Sequence, residues 1–169
     1  KAGPVGTLSY TYDPAGNRLT HIEQQPHLQE PVTNGYRYAT ATNRLTQWGD
    51  NQVTQDWQGN QRELSSPERR QRFDYNRQNR PTDYWDNGQH KARYGYNILG
   101  QRQYKIRFDN EGHRHLTLFH YDPTGQLLTQ VDWPTESGKS AAPTYQNLVW
   151  LQQRPVAVLT PEGQSPIAY

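Results

Sequence analysis

A short segment recurs along this chain in six degenerate copies, and it limits the possible fold more than any other feature. The clearest copy is Tyr10–Thr20, with the sequence YTYDPAGNRLT. Similarity at a roughly regular period is typical of proteins in which each repeat is one supersecondary element. The key aromatic residues of the copies, 26, 19, 18, 21 and 25 residues apart, are Tyr12, Tyr38, Trp57, Tyr75, Tyr96 and Tyr121.

Each copy predicts a β-hairpin. Tyr10 and Tyr12 alternate with a polar residue, so both rings are expected on one face of a strand. Asp13–Gly16 then predicts a turn, because Asp bonds its own backbone, Pro presets φ and Gly accepts positive φ. Other turns are predicted between the copies, at Trp85–Gly88 and Asp109–Gly112. The turn glycines expected to be structural are Gly16, Gly59, Gly100 and Gly125.

No segment has convincing helical periodicity, so the sequence predicts an all-β fold of antiparallel hairpin repeats. We expect repeat hairpins over residues 1–133, an exposed loop over 134–145, and terminal apolar strands of the same core over 146–169. The apolar segments Leu148–Leu151 and Val156–Leu159 predict two buried strands separated by Pro155. A turn is expected at 161–164, and a further strand is expected to open at 166–168.

Composition excludes several classes of protein. Only 31% of residues are hydrophobic, but 12% are aromatic and the net charge is +2, which argues against simple disorder. No apolar stretch approaches 18 residues, so no transmembrane segment is expected. The absence of Cys excludes disulfides and thiolate zinc sites, and the small net charge does not favour nucleic-acid binding.

Two motifs resemble those of one known family. The segment Tyr12–Thr20, YDPAGNRLT, resembles the YD repeat of the Rhs family. Leu148–Leu159, LVWLQQRPVAVL, is similar to the stretch just before the end of the Rhs core. The resemblance extends over the chain from about Tyr10 to Tyr169. The sequences of its motifs are closer to those of bacterial Rhs proteins than to those of the animal teneurins.

The resemblance implies a fold and a role. Rhs proteins, like the C components of insecticidal toxin complexes, build a β-sheet strip that spirals into a hollow shell. In bacterial members the shell encloses a C-terminal toxin domain, and in polymorphic toxins of type VI secretion an N-terminal region connects to the spike. The implied partners are the rest of the shell, the enclosed toxin, and a secretion spike or chaperone. The implied location is the bacterial cytoplasm before export, then the target cell.

The family's aspartic self-cleavage site is not expected in this chain. That site is built on Asp-Pro-X-Gly motifs, and this chain contains Asp13–Gly16 and Asp122–Gly125. Neither motif is followed by the Trp or Leu of the cleavage motif, and both lie inside ordinary repeats. We therefore predict turns at both positions, and no catalytic, cofactor-binding or metal-binding residue in the chain.

Three other chemistries have to be weighed against a structural role. His113 and His115 share a strand face at a spacing that suits zinc, whereas His120 falls on the opposite face unless a bulge intervenes. Carboxylates next to aromatic residues, at Asp56, Asp83 and Asp132, would suit a glycosidase, but turn chemistry explains most of them.

Arginines interleaved with aromatic residues would suit single-stranded nucleic acid, but cross-strand pairing on a polar sheet explains them equally well. These arginines are Arg69, Arg70, Arg72, Arg77, Arg80, Arg93, Arg102 and Arg107.

The sequence therefore favours a non-enzymatic shell segment that keeps a toxic cargo enclosed until delivery. One alternative is a recognition module whose exposed tryptophans stack on carbohydrate, the candidates being Trp48, Trp57, Trp85 and Trp133. Another is a docking fragment that completes the shell of a second chain. Its open sheet edges would then make it self-associate when alone.

Overall fold

The computed structural model describes residues 6–25, 27, 29–133, 135–136, 139–140 and 142–160. Over these residues all regular structure is β-strand, and no helix long and apolar enough to cross a membrane is found. The strands are β1 (Thr7–Tyr12), β2 (Arg18–Gln24), β3 (Val32–Tyr38), β4 (Leu45–Trp48), β5 (Asn51–Gln55), β6 (Gln61–Ser65), β7 (Arg70–Tyr75), β8 (Pro81–Asp86), β9 (Gln89–Tyr96), β10 (Arg102–Phe108), β11 (Arg114–Tyr121), β12 (Leu127–Trp133), β13 (Thr135–Glu136), β14 (Lys139–Ser140), β15 (Thr144–Leu151) and β16 (Arg154–Leu159).

The chain divides into two compact units, residues 1–73 with 86–88, and residues 74–85 with 89–169. In the first unit, β1 to β7 are hydrogen-bonded in chain order, with each neighbouring pair antiparallel. In the second unit, β9 to β12 and then β15 and β16 follow one another in the same way. Among the described residues, the short strands β13 and β14 pair only with each other. This architecture confirms the predicted all-β fold of antiparallel hairpin repeats.

Very little of either unit is buried. The buried apolar side chains of the described residues are Val53, Ala92 and Val131, and Thr117 is the one buried polar residue among them. A sheet that is wet on both faces gains little from apolar burial, so backbone ladders and cross-strand pairs must supply most of its stability. The low hydrophobic content of the sequence follows from this arrangement.

The two terminal apolar segments form strands, but the prediction that they are buried is wrong. Leu151 is 67% exposed, and Val149 and Leu159 are about 40% exposed. β16 is the last strand in the order of its unit, and apolar residues are buried only where a second layer covers them. Pro155 lies within β16 rather than between the strands, and the turn between β15 and β16 has Gln152 at φ 57°.

The segment predicted as an exposed loop, residues 134–145, contains the short strands β13 and β14 and the first residues of β15. The turn expected at 161–164 and the strand expected at 166–168 lie outside the described residues.

Six of the hairpins contain a β-bulge immediately beside the turn. Tyr12 pairs with Arg18 but Thr11 pairs with Thr20, so Leu19 is an extra residue in β2. The same one-residue shift occurs in the pairs β3–β4, β5–β6, β9–β10, β11–β12 and β15–β16. Because a bulge moves later side chains to the other face, simple alternation along the sequence does not predict which residues share a face.

Gly95 gives a test of how tightly one cross-strand pair is packed. Gly95 lies opposite Tyr104, and a Cβ atom at Gly95 would stand only 2.0 Å from Cε1 of that ring. We expect Gly95→Ala to destabilise the chain by about 1–3 kcal/mol, because the ring must move off the backbone. Urea unfolding measures the change.

Gly35→Ala is the matched control, because a Cβ at this strand glycine meets no atom within 4 Å. It should be neutral or stabilise the fold by up to about 1 kcal/mol. Equal effects of the two substitutions would show that the Tyr104 ring does not constrain Gly95.

Candidate functional site

The most regular feature of the structure is the turn of each repeat. In the first copy, Oδ1 of Asp13 accepts the backbone N–H groups of Ala15, at 2.9 Å, and Asn17, at 2.8 Å. Oδ2 accepts the side-chain amide of Asn17 at 2.9 Å. The N–H of Gly16, at φ 85°, donates to the Asp13 carbonyl at 3.0 Å. One carboxylate therefore organises the whole turn, which is an Asx turn.

The same turn recurs at five other positions. In every case Oδ1 of an Asp or Asn accepts the N–H of the residue four positions later, at 2.9–3.1 Å. The residue three positions after the Asp or Asn always has positive φ. The turns begin at Asp56, Asn76, Asn97, Asp109 and Asp122, and their positive-φ residues are Gly59, Asn79, Gly100, Gly112 and Gly125.

These turns agree with the predicted role of Asp13, Asp122 and the four turn glycines. The turn at Asp109, predicted between the copies, has the same hydrogen bonds as the turns of the repeats. It joins β10 to β11, whereas the turns at Asn97 and Asp122 join β9 to β10 and β11 to β12. The motif Asp/Asn-x-x-Gly therefore serves both kinds of connection in the second unit.

The hydrogen bonds of the turns lower the pKa of their carboxyl groups. At Asp13 and Asp56 the largest cause is the side-chain amide of the Asn four residues later, and at Asp122 it is the hydroxyl of Thr124. At Asp109 desolvation opposes the shift, but hydrogen bonds from His113 and Glu111 still lower the pKa. All four side chains are therefore ionised at neutral pH.

Four aromatic side chains link a hairpin to the repeat before it. The hydroxyl of Tyr96 donates to the carbonyl of Pro81 at 2.8 Å, and that of Tyr121 donates to the carbonyl of Arg102 at 3.0 Å. Tyr38 and Trp150 make the equivalent bonds to Arg18, at 3.0 Å, and Leu127, at 2.8 Å. Each acceptor lies just after the turn of the preceding repeat. We call these four bonds the aromatic clasps; the sequence identified the rings but not the bonds.

The third repeat aromatic was assigned wrongly. In the turn that begins at Asp56, Trp57 takes the position of Pro14 in the first copy, and Gln55 takes that of Tyr12. Trp57 is 84% exposed as a result. Trp48, Trp85 and Trp133, also expected to be exposed, are half-buried, and Trp85 stacks on His90 with centroids 4.9 Å apart.

Most of the arginines singled out in the sequence have partners within the sheet. Arg69 pairs with Asp86, Arg70 with Glu63 and Arg93 with Asp83, each at 2.8 Å. Others lie over rings: Arg80 over Tyr96 at 5.8 Å, and Arg102 over Tyr94 at 5.0 Å. This is the cross-strand pairing that the polar composition predicts.

Of the three histidines considered as zinc ligands, His113 and His115 lie near Asp109, whereas His120 does not. Nδ1 of His113 lies 2.9 Å from Oδ2 of Asp109 and 3.3 Å from Oε2 of Glu111, and Nε2 of His115 lies 3.8 Å from the same Asp109 oxygen. His120 lies at the other end of β11. Although Asp109, Glu111 and His113 could hold a cation, His113 stands to Asp109 as Asn17 stands to Asp13. The cluster is therefore part of an Asx turn.

The carboxylates considered for glycoside hydrolysis are engaged by their neighbours. Oδ1 of Asp83 lies 2.9 Å from Nε2 of His90 and 2.8 Å from Nε of Arg93. Asp132 accepts hydrogen bonds from Thr117 and Gln130, and Asp56 organises its turn. None of the three contacts another of them through a hydrogen bond in the described part of the chain.

Comparison with known proteins supports this description of the fold. The chain is similar to the crystal structure of TcdB2-TccC3-TEV, with a TM-score of 0.54 and 12% sequence identity. The chain has an Rhs-like fold. The alignment covers 93% of this chain but 10% of that one, so this chain corresponds to a small part of the other. No protein-family model matches the chain, and no curated protein matches it.

The aromatic clasps predict a measurable contribution to stability. Tyr96→Phe keeps the ring but removes the donor to the Pro81 carbonyl, so we expect a loss of about 0.5–1.5 kcal/mol. Tyr145→Phe is the control, because Tyr145 is 41% exposed and makes no hydrogen bond in the described residues. Chemical denaturation that gives equal effects for both variants would contradict the clasp.

The turn carboxylates predict how stability depends on pH. Their pKa values are lower in the folded chain than the ordinary value of 3.8, so their stabilisation is present above that value. It is lost as the pH falls through the lower folded values. Replacing Asp13, Asp56, Asp109 and Asp122 together by Asn keeps the Oδ1 acceptors, and should flatten the fall in melting temperature below pH 4.

Asp50→Asn provides the control for that experiment, since the Asp50 carboxylate makes no hydrogen bond among the described residues. This variant should leave the fall in melting temperature below pH 4 unchanged. If the melting temperature of the fourfold variant also falls below pH 4 as in the unmodified chain, the turn carboxylates do not set the pH dependence of stability.

Proposed function

We propose that this chain is a structural, non-enzymatic segment of an Rhs-type β-shell that encloses and carries a toxin cargo. The observation that carries the proposal is the near absence of a core: three buried apolar side chains among the described residues, on strands that follow one another in chain order. Such a sheet suits a wall with water on both sides better than one layer of a globular domain. The Rhs-like fold supports this role.

The proposed mechanism is steric. A wall of antiparallel strands about 4.8 Å apart, closed by backbone hydrogen bonds, leaves no opening through which a folded cargo or a protease could pass. The cargo is thereby kept from the producing cell until delivery, for which contact-dependent or type VI delivery is the proposed route. The remaining shell, the enclosed toxin domain, and a spike or chaperone are the proposed partners.

The sheet edges support assembly with further shell segments. Every residue of β1 is exposed, and Leu8 is 56% exposed. Within the described residues β1 pairs only with β2, and β16 only with β15. Unpaired strand edges are templates for another strand, so each edge suits the continuation of the repeat array.

The experiment that tests the proposal uses the polypeptide from its native source. Intact mass and N-terminal sequencing should find the 169 residues within a much longer chain. In that longer chain, the enclosed cargo domain should resist a protease. The same protease should rapidly digest the cargo domain once it has been separated from the shell. Cargo digested equally fast in both states, or a free 169-residue protein, would overturn the shell function.

The open edges predict that the isolated chain self-associates. Leu8→Lys places a charge on the exposed edge strand β1 and should reduce the associated fraction, because charged edges disfavour strand pairing. Leu99→Lys is the control, since Leu99 is 73% exposed but lies in a turn. Light scattering over a range of concentrations measures the association, and a monodisperse monomer of the unmodified chain would contradict it.

A second candidate function, carbohydrate recognition, is favoured by one residue. Trp57 is 84% exposed at the tip of its turn, where its ring face is open to a sugar. A glycan array probed with the chain and with Trp57→Ala tests this candidate. A sugar bound only by the unmodified chain would support it, and no such sugar would exclude it.

A further inference from the structure

The second unit contains a concave surface that the shell function does not explain. It encloses about 450 Å³ and is formed by β10, β11, β12 and the first residue of β15. A cross-strand row forms its floor, because Lys105 pairs with Thr117, Thr117 with Asp132, and Asp132 with Thr144. Residues directly opposite one another in a sheet share a face, so these side chains all line one surface. A cavity of this size is in the range of small-molecule sites.

Three cationic side chains of one strand converge on this surface. Lys105 and Arg107 are two residues apart on β10 and therefore share a face. Arg102 would face the other way by simple alternation, but the bulge between Arg102 and Tyr104 returns it to the same side. All three line the cavity. The backbone irregularity thus adds a third cation to the cluster.

These cations differ from Arg69, Arg70 and Arg93 in lacking an acidic partner. Arg69, Arg70 and Arg93 each pair with a carboxylate at 2.8 Å. No carboxylate among the described residues lies within ion-pair distance of Lys105 or Arg107. Arg102 lies over two rings, Tyr94 at 5.0 Å and Phe119 at 5.8 Å, which hold its guanidinium without using its N–H donors.

The single carboxylate in the described lining is already engaged. Oδ1 of Asp132 accepts the hydroxyl of Thr117 at 2.5 Å, and Oδ2 accepts the amide of Gln130 at 2.8 Å. Asp132 is therefore held in place by neutral donors and leaves the donors of Lys105 and Arg107 available. The surface has an excess of positive charge surrounded by polar and aromatic groups.

We propose that this surface is a binding pocket for an oxyanion, a phosphate or carboxylate group, held by Arg102, Lys105 and Arg107. Guanidinium groups match the geometry of both anions, and charge-assisted bonds from three cations fix the position of the group. Phe119 and Trp133 give the pocket apolar sides that exclude water from those bonds. The proposal does not depend on the shell function, since it requires only the folded second unit.

The electrostatics of Lys105 agree with this arrangement. Partial burial, followed by the positive charges of Arg107 and Arg102, lowers the pKa of Lys105, while Asp132 opposes that shift. A bound anion would relieve the repulsion and raise the pKa of Lys105, so it should slow reactions that need the neutral amine.

The test uses the 169-residue chain and two probes, inorganic pyrophosphate and citrate, in equilibrium dialysis at constant ionic strength. We expect saturable binding of at least one probe. Lys105→Ala and Arg107→Ala should each weaken it about tenfold, the usual effect of losing one charge-assisted bond. Lys91→Ala is the matched control, because Lys91 bonds Asn110 outside the pocket and its loss should leave binding unchanged. Circular dichroism of each variant verifies that the fold is retained.

Competitive acetylation, followed by mass spectrometry, provides a second readout in the same samples. The bound probe should slow acetylation of Lys105 and leave that of Lys91 unchanged. Binding of pyrophosphate alone identifies a phosphate site, binding of citrate alone identifies a carboxylate site, and binding of both identifies a general oxyanion site. Non-saturable binding, equal weakening in the Lys91 variant, or equal protection of both lysines would overturn the proposal.

Discussion

The hydrogen bond from a backbone N–H to Oδ1 of the Asp or Asn four residues earlier is the interaction on which the rest of this fold depends. In most sheets the register of strands is fixed by burial of one face, since a slip by one residue moves every apolar side chain into water. That constraint is weak here, because both faces are wet and three apolar side chains are buried in the described residues. The turn must therefore set the register.

The turn achieves this by fixing two features together. Its hydrogen bonds determine where the hairpin closes, as at Asp13 and Asn17. At four of the six turns an adjacent bulge then fixes how the strands pair beyond it. Asn serves at two of the six turns, so the acceptor oxygen is required and the negative charge is not. The residue three positions after the Asp or Asn is more restricted, since positive φ at low cost requires Gly or Asn.

The aromatic clasps then join consecutive hairpins, and stability accumulates from neighbour to neighbour as in other repeat arrays.

The sequence predicts the elements that are encoded locally. The motif at Tyr12–Gly16 contains its own turn chemistry, so hairpins and turn glycines could be derived from it. The aromatic residues of the copies do not all occupy the same structural position. In the copy whose turn begins at Asp56 the last residue of the strand is Gln55, and Trp57 lies in the turn. Burial of the terminal apolar segments is expected because apolar runs usually have a covering layer, but Leu151 is 67% exposed in the described structure. The bulges, the clasps and the cation cluster depend on cross-strand register, which the sequence of one strand does not contain.

Because the turns and clasps fix the backbone, the strand faces are free to take on other roles. Arg102 shows how one residue can contribute its backbone to a clasp and its side chain to a charged cluster. Its carbonyl accepts the hydroxyl of Tyr121, so its backbone is part of a clasp that any residue could provide, as Pro81 does for Tyr96. Its side chain is then placed by the bulge beside Lys105, on a surface where no core has to be filled. In an ordinary sheet that position would be reserved for an apolar residue. A sheet whose register is set at its turns can carry a charged cluster on its face at little cost to stability.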